Sequence, residues 1–170
     1  MDYFEFYNIQ VSFSPNQADI KKLFYEYSKA YHPDFYTDSS ELTKEEVLQK
    51  SAFNNEAYKT LKNFDKRLKY ILELKEVIKP TDKDEIPQDF LMEMMDINER
   101  IMEVQFDFDK AQHQKILNEI KAFETQLTTS VDGLLEKIDH TPEELGTIKT
   151  FYYKRKYLKR IQENLEKLSA

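Results

Sequence analysis

The apolar positions divide the chain into helical runs separated by polar breaks. Ile20, Leu23, Phe24, Tyr27 and Tyr31 recur at three- and four-residue steps, which places them on one face of a helix. Ser14 before Pro15 predicts where that helix starts: an N-cap oxygen, then a residue whose missing N–H needs no partner in the first turn. Pro33 predicts its end. The stretch FYTDSSELT reads as a polar loop, with TDSS the turn signal. A second run begins near Leu42, with Leu48, Ala52, Asn55, Tyr58 and Leu61 along one side, and Asp65 is placed to cap a short third helix carrying Leu68, Ile71 and Leu72. These segments imply two long antiparallel helices joined by a polar loop.

The pattern breaks over residues 76–89, EVIKPTDKDEIPQD, where two prolines and five acids crowd together. Each proline disfavours helix in the residue before it, so this segment reads as a linker between parts spanning 1–75 and 90–170. Beyond it, one helix is predicted from Phe90 to about Val104. A second, from Asp109 to about Ile138, carries Ile116, Ile120, Phe123, Leu127, Leu134 and Ile138 on one stripe. Thr141-Pro142-Glu143-Glu144 is a capping box with proline at the first helical position. It opens a last helix along Leu145, Ile148, Tyr152, Leu158, Ile161, Leu165 and Leu168. Three helices with short connections make a small bundle.

Composition agrees with an all-α chain. Only two glycines, Gly133 and Gly146, occur in 170 residues, whereas glycine averages about 7% of ordinary proteins and tight hairpins depend on it. Neither common glycine-rich phosphate loop can be built from two glycines so far apart. The absence of cysteine excludes disulfides, thiol catalysis and cysteine-ligated zinc or iron–sulfur sites. The three histidines (His32, His113 and His140) are widely spaced, so neither a metal site nor a resident cofactor is expected. No uncharged run approaches the roughly 18 to 20 apolar residues of a membrane span, and the opening MDYFEFYNI lacks the basic start of a secretion signal. The net charge of −7 argues against nucleic-acid binding. The expectation is a cytoplasmic protein that binds neither membrane nor nucleic acid.

One constellation carries more. His32-Pro33-Asp34 lies between the two long helices of the first part, and the second of these holds Asn55-Glu56-Ala57-Tyr58-Lys59-Thr60-Leu61, followed by Asp65, Arg67, Tyr70 and Leu72. Taken alone, the tripeptide is a helix stop with a solvated turn. A catalytic pairing of His32 with Asp34 would need a nucleophile and an oxyanion site, and no residues in the sequence provide them. In its flanking context the pattern resembles a J-domain, the module through which DnaJ-type co-chaperones engage DnaK-type heat-shock chaperones.

The resemblance extends over essentially the whole chain to the HscB family, J-proteins dedicated to iron–sulfur cluster biogenesis. The opening MDYFEFYNI, the loop after His-Pro-Asp and the segment Asp89-Phe90-Leu91-Met92-Glu93-Met94-Met95-Asp96 carry it. It implies an N-terminal J-domain (an antiparallel helical hairpin) plus a C-terminal three-helix bundle. It further implies a DnaK/HscA-type chaperone docking at His32, Pro33 and Asp34 with help from Lys21, Lys22 and Lys29, and ATPase stimulation in that partner rather than catalysis in this chain. The bundle would bind the iron–sulfur scaffold protein IscU through Leu91, Met92 and Met95, with Asp96, Glu99 and Glu103 as acidic neighbours and Tyr153 as the aromatic from the last helix. Two positions depart from the wider J-domain pattern: Glu26 stands where a basic residue is usual, and Phe35 where a lysine or arginine follows the tripeptide.

The residues themselves add a physical argument. Leu91, Met92 and Met95 share part of one helical face, and Asp96, Glu99 and Glu103 continue beside them. Methionine suits adaptable binding surfaces, yet a methionine stripe also makes ordinary bundle core. The basic run Lys154-Arg155-Lys156 with Lys159 and Arg160 reads as a helix surface. Two competing readings stand beside the family one. The first is a J-protein whose bundle binds another client or self-associates; the second is a helical interaction protein in which His-Pro-Asp is only a turn.

Overall fold

A computed structural model describes residues 1–32, 34 and 42–168. Pro33, Phe35 and the TDSS turn lie outside the described residues. Every regular element among those described is helical: α1 Tyr3–Tyr7, α2 Gln17–Ala30, α3 Lys44–Lys62, α4 Phe64–Leu74, α5 Gln88–Phe106, α6 Lys110–Leu135 and α7 Pro142–Glu166. None of them is long and apolar enough to cross a membrane. The chain forms two compact units, Met1–Leu74 and Lys75–Ala170.

In the first unit, α2 and α3 form the antiparallel hairpin. Gln17 reaches the Leu61 carbonyl at one end, Phe24 stacks on Tyr58 at 4.1 Å, and Lys50 sits over the Tyr31 ring at the other end. The aromatic opening of the chain is a short helix, α1, held at its start by a reciprocal Asp2–Glu5 capping box. Phe4 and Tyr7 are buried; Tyr3 stacks on Tyr70 of α4 at 4.5 Å, and its N–H donates to the Tyr70 hydroxyl.

Several expected boundaries shift, each for a local reason. Asn16, not Ser14, caps α2: its side chain accepts from the N–H groups of Ala18 and Asp19. Asn63 opens α4 in place of Asp65, accepting from Lys66 N–H at 2.9 Å. The largest difference is the rotation of α3. Its core face is Val47, Asn54, Ala57 and Leu61, while Leu48, Ala52 and Asn55 are exposed. A polar residue occupies the central buried position. The Asn54 amide donates to the Phe24 carbonyl and to Ser28 Oγ, both at 3.1 Å, and Tyr7 donates its hydroxyl to Asn54 Oδ1 at 2.7 Å. Satisfied in this way, the amide escapes the penalty of burial and ties α1, α2 and α3 together. Burial raises the Tyr7 hydroxyl well above its ordinary titration range, with Tyr27 and Tyr58 adding to the effect.

The second unit is a three-helix bundle. Phe90, Met94, Ile97, Ile101 and Val104 of α5 meet Ile116, Leu117 and Ile120 of α6 and Leu158, Ile161 and Leu165 of α7. Asp109 caps α6, and the Thr141–Glu144 capping box opens α7 as expected. α6 ends at Leu135, so Ile138 falls outside it. His113 Nε2 donates to the Leu165 carbonyl at 2.7 Å, joining the start of α6 to the end of α7. The acidic segment before α5 is pinned to α7: Glu85 pairs with Lys149 at 3.1 Å and Asp84 with Lys156 at 2.8 Å.

Candidate functional site

The first surface is the outer side of α2. Burial of Ile20 with Leu23, Phe24, Tyr27 and Tyr31 half-buried around it turns the opposite side outward, where Lys21, Lys22, Tyr25 and Lys29 are exposed. Lys22 lies 3.9 Å from Glu26, so the acidic departure at position 26 offsets part of this basic face. The helix closes at Tyr31, and His32 follows with its ring about half exposed. Asp34 donates its N–H to His32 Nδ1 at 3.2 Å, and its own carboxylate is 3.7 Å from that nitrogen and largely in solvent. Nδ1 is the acceptor in this contact, which sets the ring at the end of the basic face.

The second surface is the outer side of α5. Phe90, Met94, Ile97, Ile101 and Val104 face the core, which leaves Met92 (63% exposed) and Met95 (57%) in solvent with Leu91 half-buried at their edge. Asp96, Glu99 and Glu103 are exposed beside them, so the structure brings these six residues together as expected. Asp96 does not present a free charge. It accepts from Arg100 Nε at 3.0 Å, and the same guanidinium makes a two-pronged bond to Glu119 of α6. The Arg100 bond holds the Glu119 carboxyl below the usual carboxylate range. Glu99 and Glu103 have no ion-pair partner among the described residues and are the acids left for an incoming cation.

Tyr153 is a correction. It is 3% exposed, and so cannot offer its ring to a partner from this surface. Phe151, Tyr152 and Tyr153 are all buried although they sweep more than half the circumference of α7. Lys149 and Lys156, one turn either side of Tyr153, anchor the acidic segment that runs past it. Burial raises the Tyr153 hydroxyl; Lys149 works against this, and Asp82, Asp84 and Glu85 add to it. Tyr153→Ala is therefore expected to act on stability, lowering it by about 3 kcal/mol as large-to-small core changes do. Partner binding should fall only where circular dichroism shows the bundle unfolding. Weakened binding by a fully folded variant would return Tyr153 to the contact surface.

On α5, two further exposed apolar residues were not anticipated from the sequence: Met102 (67%) and Phe106 (95%). The signal was present, since both continue the Met95 side of α5 at seven and eleven residues on.

A family model described as the HSCB C-terminal oligomerisation domain matches residues 86–166. The iron–sulfur cluster co-chaperone protein HscB of Homo sapiens is 30% identical over 97% of this chain and 67% of its own length. A co-chaperone protein HscB homolog of Colwellia psychrerythraea is 34% identical over 64% of this chain, spanning only 63% of that relative. A homolog from Acinetobacter baumannii is 27% identical over 98% of this chain and 90% of its own. Among solved structures, human HscB superposes with a TM-score of 0.77 at 27% identity, covering 98% of this chain and 81% of that one. HscB from Vibrio cholerae superposes with a TM-score of 0.72 at 24% identity, over 98% and 96% of the two chains, and shares the fold.

Proposed function

We propose, from the premise that this chain belongs to the HscB family of co-chaperones, that it is an iron–sulfur cluster co-chaperone that docks a DnaK/HscA-type chaperone with its first unit and the scaffold protein IscU with its second. The observation that carries this reading is the pair of dissimilar exposed faces on two separate helical units. One is lysine-rich and ends at His32 and Asp34; the other is methionine-rich and flanked by Glu99 and Glu103. Both are exposed helix surfaces, which suits protein docking. The basic face of α2 complements an acidic chaperone surface and would speed encounter more than it adds affinity. The methionine face can adapt to a folded client. Joining both on one chain raises the effective concentration of client beside the chaperone, and ATPase stimulation in the partner is the expected output.

The test is ATPase turnover of the cognate chaperone with this chain alone, with scaffold alone and with both. Together they should stimulate more than the sum of each alone. Met95→Glu should remove that surplus and leave the stimulation by the co-chaperone alone, because it replaces an apolar contact with a carboxylate that would have to give up its water on docking. A surplus that survives Met95→Glu would rule out the α5 face as the scaffold site.

A further inference from the structure

The exposed apolar surface of α5 does not stop at Met95. On a helix with 3.6 residues per turn, Met92, Met95, Met102 and Phe106 fall within about a quarter of the circumference, interrupted only by Glu99. From Leu91 to Phe106 the ridge runs about 22 Å, a span on the scale of interfaces in which each partner contributes about 800 Å². Monomeric proteins seldom leave such a strip in water without a partner for it. The core does not need these side chains. Val104 is buried and Phe108 packs against the cluster at this end of the bundle, while the Phe106 ring is almost wholly in solvent. Met102 also forms one lip of an open groove of about 340 Å³ between α5 and α7, whose other walls include Asn98, Ile101, Ile161 and Asn164.

Resting on the functional reading above, we infer that Met102 and Phe106 are client-contacting residues, and that the scaffold-binding surface runs the full length of α5 with the α5–α7 groove as a seat for a client side chain. The occupant is a folded protein surface that sets apolar side chains against the ridge and lysine or arginine opposite Glu99 and Glu103. Charge decides between this occupant and a second copy of the chain. A two-fold pairing of α5 with itself would bring the same acidic row against its own image, which disfavours it, whereas a basic client surface gains from both acids.

The experiment is calorimetric titration of the purified iron–sulfur scaffold protein into the full chain and into Met102→Ser, Phe106→Ser, their double variant and Met95→Ser. All three sites are solvent-exposed, so the variants should melt like the parent. The double variant should bind about tenfold more weakly, as removal of aromatic and methionine contacts from an interface does, and Met95→Ser should weaken binding as well. Parent-like affinity in the double variant alongside weakened Met95→Ser would end the client surface at Met95; the inference fails and the functional reading stands. Parent-like affinity in every variant would sink both. Sedimentation equilibrium on the same samples supplies the remaining outcome. A dimer that Met102→Ser and Phe106→Ser dissociate, with scaffold affinity unchanged, would assign the ridge to self-association and overturn the inference.

Discussion

His32→Gln is expected to bring chaperone ATPase stimulation down to background while leaving scaffold binding and thermal stability unchanged. The ring is half exposed and lies at the C-terminal end of α2, beyond the last turn that carries Lys29. Its Nδ1 takes the Asp34 N–H, so the imidazole is held in one orientation by the turn it belongs to. Glutamine can offer an oxygen to that N–H, but it loses the rigid ring and the second ring nitrogen, and it adds rotamers that must be frozen on docking. Because the side chain is largely outside the core, the substitution should leave the melting curve where it was. The scaffold face lies in the other compact unit, so calorimetric affinity for the scaffold should also hold. Loss of ATPase stimulation and scaffold binding together would mean a folding defect and would remove the two-site account. Full stimulation by His32→Gln would reduce the tripeptide to a helix stop.

Much of this architecture was legible because the signals were redundant. The α7 start carries threonine, proline and glutamate at their preferred positions, and the structure realises all three in one capping box. The methionine face of α5 was legible because its core stripe is complete without it: Phe90, Met94, Ile97, Ile101 and Val104 fill the inner side, so Met92 and Met95 have no place there. The rotation of α3 was hidden because the residue at the centre of its core face is an asparagine, and the sequence pattern, which placed the adjacent Asn55 on the inner side, cannot tell which of the two turns inward. Only the carbonyl, hydroxyl and phenol around Asn54 make that position inward-facing, and these come from α1 and α2. Tyr153 was misjudged for the opposite reason. Three adjacent aromatics cannot all face one neighbouring helix, which suggests that one points to solvent. The acidic segment pinned through Asp84 and Glu85 supplies cover that periodicity cannot show. Non-local polar contacts are what a one-dimensional pattern lacks.

The largest effect on stability is expected at Arg67, where a cation is buried in the first unit against carbonyl groups. Its Nε donates to the Phe13 carbonyl at 2.9 Å and an outer nitrogen donates to the Leu61 carbonyl, while its guanidinium lies 5.6 Å from the centre of the Phe64 ring. Among the described residues no carboxylate partners it, and burial lowers its pKa from the usual arginine value. The planar fork reaches the segment before α2 and the end of α3 at once, and thereby fixes where α2 begins and how its lysine face is presented. Arg67→Met keeps most of the aliphatic packing but strands two backbone acceptors, each worth about 1 to 3 kcal/mol when left unsatisfied in the interior. The expected loss is about 3 kcal/mol, read as a lowered urea midpoint by circular dichroism. Arg67→Lys should recover only part of it, because a single ammonium on a flexible stem does not reproduce two donors in fixed geometry. The functional consequence follows from the division of the chain: stimulation of the chaperone should fail at temperatures where the first unit melts, while scaffold binding by the bundle persists. A urea midpoint for Arg67→Met equal to the parent's would show that water satisfies both carbonyls and that the buried guanidinium does not organise the hairpin.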